Sequence, residues 1–114
     1  MSEHSEQVAL MLMVRGDERF SWLHAIANGG HRVKAVAAQL QREGVKAGVA
    51  DLSFPFPVGK YHGCYIEMKY GKNKLTESQR KFLDLVASKG YYTAVCYSAE
   101  EAYATLMNYV GGEE

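Results

Sequence analysis

The sequence has few cysteines and no long hydrophobic segment. Its two cysteines, Cys64 and Cys96, form no Cys-x-x-Cys pair, which excludes a disulfide framework. The longest apolar run covers residues 8–14, far short of the roughly 20 residues that cross a bilayer. The first residues lack the basic start of a secretory signal. These absences predict a protein of a reducing cytoplasm with no membrane partner.

The chain also lacks net charge, since 13 basic residues balance 13 acidic ones. The charges are unevenly placed, however, because residues 31–90 hold 11 of the 13 lysines and arginines against five acidic residues. Residues 91–114 hold four glutamates and no basic residue. A basic middle between acidic ends is typical of a surface that binds a polyanion. An ordinary solvated surface explains the same distribution equally well.

Periodicity and capping signals divide the chain into helical and extended segments. A capping box begins at Thr76, with Gln79 three residues later, and a second begins at Ser98. Residues 28–30 predict a turn, and residues 20–26 suit either a short strand or a short helix. The predicted helices are 3–13, 33–43, 76–89 and 98–109, and the predicted strands are 49–54, 63–69 and 91–97.

The order of these elements predicts one α/β domain over residues 1–114, with a central mixed β-sheet flanked by helices. Strands 49–54 and 63–69 are expected to form a hairpin around the irregular segment 55–59. Strand 91–97 follows a crossover helix, so it is expected to lie parallel to strand 63–69. Alternation along 63–69 places Cys64, Ile66 and Met68 on one face.

Glu67 and Lys69 are the strongest candidates for catalytic residues. Two residues apart on a strand, their side chains share a face at a separation of roughly 6.6 Å. The hairpin brings Asp51 beside Glu67, and two neighbouring carboxylates suit Mg²⁺ or Mn²⁺. Such an ion polarises a phosphodiester, while Lys69 orients or deprotonates the attacking water. The competing interpretation is a solvated strand face with a Glu–Lys ion pair.

The sequence segments around these residues resemble the motifs of a known family. Segments 27–32 (ANGGHR) and 44–52 (GVKAGVADL) are similar to P-N-G-G-x-R and G-x-x-x-G-x-P-D-L. Segments 65–69 (YIEMK) and 75–79 (LTESQ) resemble I-E-x-K and L-S/T-x-x-Q, and 90–91 fits a closing G-Y. In this order they resemble the stand-alone VRR-NUC domain, a virus-type replication-repair nuclease module of the PD-(D/E)XK superfamily. Ala27 and Ala50 depart from the pattern, which commonly has proline there.

The resemblance implies a restriction-endonuclease-like fold and assigns roles to matched residues. Asp51 and Glu67 would be metal ligands together with the backbone carbonyl of Met68, and Lys69 would be the catalytic lysine. Gln79 matches a helix glutamine that points into the site, although capping Thr76 is an equal alternative. A carboxylate of the first helix often completes such sites, and the sequence does not choose between its two candidates, Glu3 and Glu6.

The function that the resemblance implies is metal-dependent DNA hydrolysis that leaves 3′-hydroxyl and 5′-phosphate ends. The expected substrate is a four-way (Holliday) junction, and the expected setting is the cytoplasm of a bacterium, either for a phage-encoded or for a bacterial protein. Candidate phosphate contacts are His31, Arg32, Lys72 and Lys74. The rival interpretation is a catalytically silent DNA-binding or scaffold module that keeps the fold.

The apolar residues of the first and last helices predict a homodimer. Their number exceeds what so small a domain is expected to bury, and exposed apolar patches commonly mark interfaces. Small homo-oligomers most often close with two-fold symmetry. The interface is therefore expected to use the N-terminal half of the chain. The residues of these faces are Val8, Met11, Leu12, Tyr103, Leu106 and Met107.

Overall fold

The computed structural model describes residues 1–27 and 34–112. The predicted turn at 28–30 and the candidate phosphate contacts His31 and Arg32 lie outside these residues. The helices are α1 (Glu3–Val14), α2 (Lys34–Arg42), α3 (Glu77–Ser88) and α4 (Ala99–Gly111). The strands are β1 (His24–Ala25), β2 (Leu52–Phe54), β3 (Cys64–Met68) and β4 (Tyr92–Cys96). Every predicted helix is confirmed within a few residues of its expected ends.

The four strands form one mixed sheet in the order β1-β2-β3-β4. β2 and β3 pair antiparallel, with Leu52 opposite Ile66, which confirms the hairpin. β3 and β4 pair parallel, with Cys64 opposite Tyr92, as the crossover helix predicts. The ambiguous segment 20–26 divides between the end of a 3₁₀ turn and the short strand β1, which borders β2.

The main core lies between one face of the sheet and helices α1 and α4. Ile66 and Met68 of β3 are fully buried there, which confirms the alternation read from the sequence. Leu106 of α4 is also fully buried, so its assignment to an exposed face was wrong. The structure buries it because α4 packs against both α1 and strand β4. By contrast, Val8 and Leu12 of α1 are 47% and 55% exposed.

Met11, Tyr103 and Met107 are intermediate cases, because they are partly buried against the same core. The apolar surface left open on α1 is therefore smaller than the sequence suggested. Helix α2 adds nothing to the core, since none of its residues is buried. None of the helices within the described residues is long and apolar enough to cross a membrane.

Helix α3 begins at the capping box that the sequence predicts. The Thr76 hydroxyl accepts from the Gln79 N–H at 3.2 Å, and the Gln79 side chain accepts from the Thr76 N–H at 2.9 Å. The first turn of α3 lies against Gly48, whose φ is +91°. A Cβ added at Gly48 would lie 2.6 Å from the Ser78 carbonyl oxygen. Glycine at this position therefore lets the chain that leads into β2 approach α3 closely.

The second capping box is only half formed. The Ser98 hydroxyl accepts from the Glu101 N–H at 3.0 Å, as expected. The Glu101 carboxylate accepts from the Tyr97 N–H instead of the Ser98 N–H. A further carboxylate, from Glu6 of α1, accepts from the Ala99 N–H at 2.8 Å. Glu6 thus stabilises the start of α4 and joins the two helices that cover the core.

Candidate active site

The hairpin register brings Asp51 beside Glu67. Because Leu52 pairs with Ile66 in an antiparallel ladder, the next residues along, Asp51 and Glu67, lie opposite each other. The Asp51 carboxylate is held in place by the Met68 N–H, which donates to its Oδ2 at 2.8 Å. Asp51 lies one residue before β2, at the point where the strand begins.

Glu67 and Lys69 are buried, contrary to the interpretation of this pair as a solvated strand face. Glu67 is 2% exposed and Lys69 is 6% exposed. Lys69 Nζ lies 3.9 Å from Glu67 Oε2, and the Lys69 N–H donates to the Cys96 carbonyl at 2.8 Å. Burying two opposite charges is costly unless they interact with each other or with a ligand. This cost is unusual on an ordinary strand face.

The electrostatics of the two carboxyl groups oppose two negative charges side by side in the absence of a cation or a shared proton. Burial first, and then the charge of Asp51, raises the pKa of Glu67 to about 8. Burial likewise raises the pKa of Asp51, although the hydrogen bond from Met68 opposes the shift. Glu67 Oε1 is buried and accepts no hydrogen bond from a donor group, although in the metal-free protein the Glu67 and Asp51 carboxyl groups can share a proton. An orphaned buried carboxylate oxygen calls for an explanation, and a bound ion supplies one.

The donor set fits Mg²⁺ or Mn²⁺. Hard divalent ions take carboxylate and carbonyl oxygens, and Mg²⁺ is commonly bound by one or two carboxylates while it keeps several waters. Asp51 and Glu67 provide two such carboxylates beside the backbone of Met68. Across residues 1–27 and 34–112, no three or more His, Cys, Asp and Glu side chains converge on one point. The arrangement is that of a two-carboxylate site and excludes a zinc cluster within those residues.

The two candidate carboxylates of α1 have different surroundings. The charge of Glu3 raises the pKa of both Asp51 and Glu67, so Glu3 acts on the site electrostatically. Glu6 instead accepts the Ala99 N–H at the start of α4. The electrostatic effect of Glu3, together with the hydrogen bond that holds Glu6 at α4, therefore favours Glu3 as the carboxylate associated with the site.

Gln79 occupies the capping position in this structure. Its side-chain oxygen accepts from the Thr76 N–H, which corresponds to the structural alternative that the sequence left open. A role of Gln79 in catalysis stays a prediction. So does the role of the Met68 carbonyl as a ligand.

Lys72 and Lys74 are exposed on the loop between β3 and α3, as the sequence predicts. Asn73, between them, connects this loop to two other elements. Its side-chain amide donates to Glu3 Oε2 at 3.2 Å, and its carbonyl accepts from the Tyr97 hydroxyl at 2.9 Å. Sequence reasoning missed Asn73 and Tyr97, because neither belongs to a motif and both contacts are distant along the chain.

Comparisons with known proteins establish the family of the chain. The family model of the VRR-NUC domain matches residues 4–100. A solved structure described as a VRR_NUC domain protein superimposes with a TM-score of 0.84 at 26% identity, covering 99% of this chain and 92% of that one. No curated protein matches the chain. Half-buried Asp51 and buried Glu67 and Lys69 lie within the matched region. The chain belongs to the VRR-NUC domain family, a family of nuclease type.

Proposed function

We propose that this protein is a metal-dependent, structure-selective DNA endonuclease that cleaves four-way junctions as a homodimer. The observation that carries the proposal is the buried Glu67 Oε1, which accepts no hydrogen bond from a donor group, beside Asp51 and next to Lys69. A silent DNA-binding module has no use for two carboxylates near phosphate, because they repel DNA unless a cation is bound. The burial of Glu67 beside the half-buried Asp51 therefore favours an active nuclease over a catalytically silent module.

The roles of the chain's residues follow from their positions. Asp51, Glu67 and the Met68 carbonyl would hold Mg²⁺ or Mn²⁺, which would stabilise the negative charge that develops on the phosphate. Lys69 Nζ orients the attacking water or accepts its proton. The water oxygen forms the new bond to phosphorus and the bond from phosphorus to the 3′ oxygen breaks. The leaving 3′ oxygen takes a proton from solvent and becomes the 3′-hydroxyl.

Residues outside this centre would position DNA. Lys72 and Lys74 are exposed beside the end of β3 and suit phosphate contacts, which orient a duplex without reading its sequence. His31 and Arg32 are proposed for the same task on the strength of the sequence. Gln79 is proposed to contact the site when its capping bond to Thr76 opens.

The preference for a four-way junction rests on symmetry. A protomer of 12.7 kDa has little surface with which to hold a branched duplex. Two protomers related by a two-fold axis present two sites, one for each of two opposed strands. A homodimer is therefore the simplest assembly that makes paired cuts.

The decisive experiment compares cleavage of labelled four-way junction, flap and linear duplex DNA, each with Mg²⁺, Mn²⁺ or EDTA. We expect metal-dependent cleavage that is fastest on the junction. If no DNA is cleaved with either metal, the proposed nuclease activity is refuted.

The matched control is Asp51→Asn. Asparagine keeps an oxygen that can accept the Met68 N–H, so the hairpin contact survives while a charged ligand is lost. We expect this variant to bind junction DNA but not to cleave it. Equal cleavage by wild type and Asp51→Asn would assign the activity to a contaminant and leave the silent module as the better account.

A further inference from the structure

Strand β4 is an open edge of the sheet. The Tyr92 N–H donates to the Gly63 carbonyl, and the Cys96 carbonyl accepts from Lys69, so Tyr92, Ala94 and Cys96 direct their backbone groups toward β3. By alternation, the N–H and C=O groups of Thr93 and Val95 point away from β3. No strand within the described part of the chain pairs with β4 on that outer side.

This edge lacks the features that normally protect an edge strand. Residues 91–97 (YYTAVCY) contain no charge, proline or glycine, whereas exposed edges usually carry lysine, proline or a bulge. The opposite edge, β1, has only two residues. An open cleft of about 510 Å³ runs beside the first half of β4, lined in part by Lys60, Tyr61 and Thr93. The cleft leaves this half of the strand accessible to solvent.

We propose that β4 pairs antiparallel with β4 of a second copy of this chain, about a two-fold axis at Ala94. In this register Thr93 of each protomer faces Val95 of the other, so the dimer contains two such pairs. In each copy, the pairing provides hydrogen-bond partners for the two outward N–H groups and the two outward C=O groups of these residues. The proposal places the interface of the proposed homodimer at β4 instead of the N-terminal half that the sequence predicted, and it requires no nuclease activity.

Charge complementarity favours a second copy as the occupant. Lys60 and Lys89 lie near the first residue of β4, while Glu100 and Glu101 follow its last residue. Antiparallel pairing places the basic end of one protomer against the acidic end of the other, on both sides of the axis. A copy of β4 is also as free of charge as the strand that it meets.

The two-fold axis would stand normal to the resulting eight-stranded sheet, so both active sites would lie on the same face. Glu67 pairs with Val95, one residue from the axis. With strands about 4.8 Å apart and a rise of about 3.3 Å per residue, the two Glu67 Cα atoms would be about 16 Å apart. The exposed Val8 and Leu12 of α1 provide no comparable pairing of backbone groups.

The first test compares Thr93→Pro with Thr93→Val by light scattering at micromolar concentration. Proline removes the outward Thr93 N–H but no hydrogen bond within the protomer, and edge strands tolerate it. We expect wild type and Thr93→Val near twice 12.7 kDa, and Thr93→Pro near 12.7 kDa. Should Thr93→Pro fail to fold, Thr93→Lys provides the same block through charge, with the same expected mass.

The second test fixes the register by cross-linking. In the proposed dimer, position 94 faces its own copy in a non-hydrogen-bonded pair, about 4.5 Å between Cα atoms, which a disulfide can span. We expect Ala94→Cys to form a covalent dimer under mild oxidation and Leu12→Cys to remain uncross-linked. The native cysteines are buried and do not compete.

The outcomes separate this proposal from the nuclease function. A monomeric wild type, or a dimer that persists in Thr93→Pro and cross-links through Leu12→Cys, overturns the β4 interface and leaves DNA cleavage to be judged by its own assay. Conversely, a β4 dimer without cleavage refutes the enzyme and keeps the interface.

Discussion

At the scale of single residues, Glu67 makes the stability of the metal-free protein depend on pH. Its pKa of about 8 lies above its ordinary value of 4.5, so folding favours the protonated carboxyl group. The stabilisation from this group is complete below pH 4.5 and is lost as the pH rises through about 8. Glu67→Gln, which cannot ionise, is expected to melt at a higher temperature than wild type at pH 9 in EDTA.

The matched control for this prediction is Glu77→Gln on α3, whose carboxylate is exposed. Thermal melts from pH 5 to pH 9 should show equal pH dependence for wild type and Glu77→Gln. A flatter profile is expected for Glu67→Gln alone. If all three profiles coincide, the ionisation of Glu67 does not cause the pH dependence of stability.

The two acidic residues of α1 are predicted to differ in what they support. Glu3→Ala should weaken Mg²⁺ binding on the order of 10-fold, because its negative charge acts on both Asp51 and Glu67. Glu6→Ala should instead lower the free energy of unfolding by about 1–2 kcal/mol, since it leaves the Ala99 N–H without its acceptor. The Mg²⁺-induced rise in melting temperature, measured for both variants, separates the two effects. Reversed results would assign the site to Glu6.

At the scale of secondary-structure elements, Gly48 sets the distance between the chain before β2 and helix α3. Gly48→Ala combines a φ of +91° with a Cβ only 2.6 Å from the Ser78 carbonyl oxygen. Gly44→Ala is the matched control, because its φ is +106° and nothing lies within 4 Å. We expect Gly44→Ala to cost about 1 kcal/mol and Gly48→Ala about 1–3 kcal/mol more. An equal loss of unfolding free energy for the two variants in urea would show that α3 can shift away from position 48 without cost.

The sequence predicts most elements because each carries a local signal. The capping box of Thr76 and Gln79 predicts the start of α3, and the alternation of Cys64, Ile66 and Met68 identifies β3. The strand β1 is less visible because two residues carry no period. Leu106 was misassigned because an amphipathic helix has the same pattern whether its apolar side faces the core or a partner. Only the packing of α4 against α1 decides that question.

The candidate site was predictable in its members but not in its environment. Asp51, Glu67 and Lys69 follow from their motif spacing, and the hairpin register brings Asp51 to Glu67. The burial of Glu67 and Lys69 contradicts the solvated alternative and depends on what covers the strand, which alternation cannot show. The contact of Asn73 with Glu3 joins residues 70 positions apart, and no local pattern signals it.

At the scale of the whole molecule, the basic middle of the sequence predicts strongly salt-dependent DNA binding. Measured with the non-cleaving Asp51→Asn protein, the logarithm of the binding constant should fall linearly with the logarithm of salt concentration. Replacing Lys72 and Lys74 by alanine should reduce that slope by about 2 per protomer. Arg19→Ala is the control, because Asp17 already neutralises Arg19 at 2.7 Å. An unchanged slope without the two lysines would remove their loop from the DNA interface.

The contacts of Asn73 have a thermodynamic consequence for ion and nucleic acid together. A phosphate bound by Lys72 or Lys74 would also act on Asn73, and through its hydrogen bond on Glu3, whose charge acts on the carboxylate pair. Two ligands that bias one shared segment are linked, and linkage is reciprocal. The factor by which Mg²⁺ tightens junction binding must then equal the factor by which the junction tightens Mg²⁺ binding. The protein would acquire its ion most readily when a substrate is already in place.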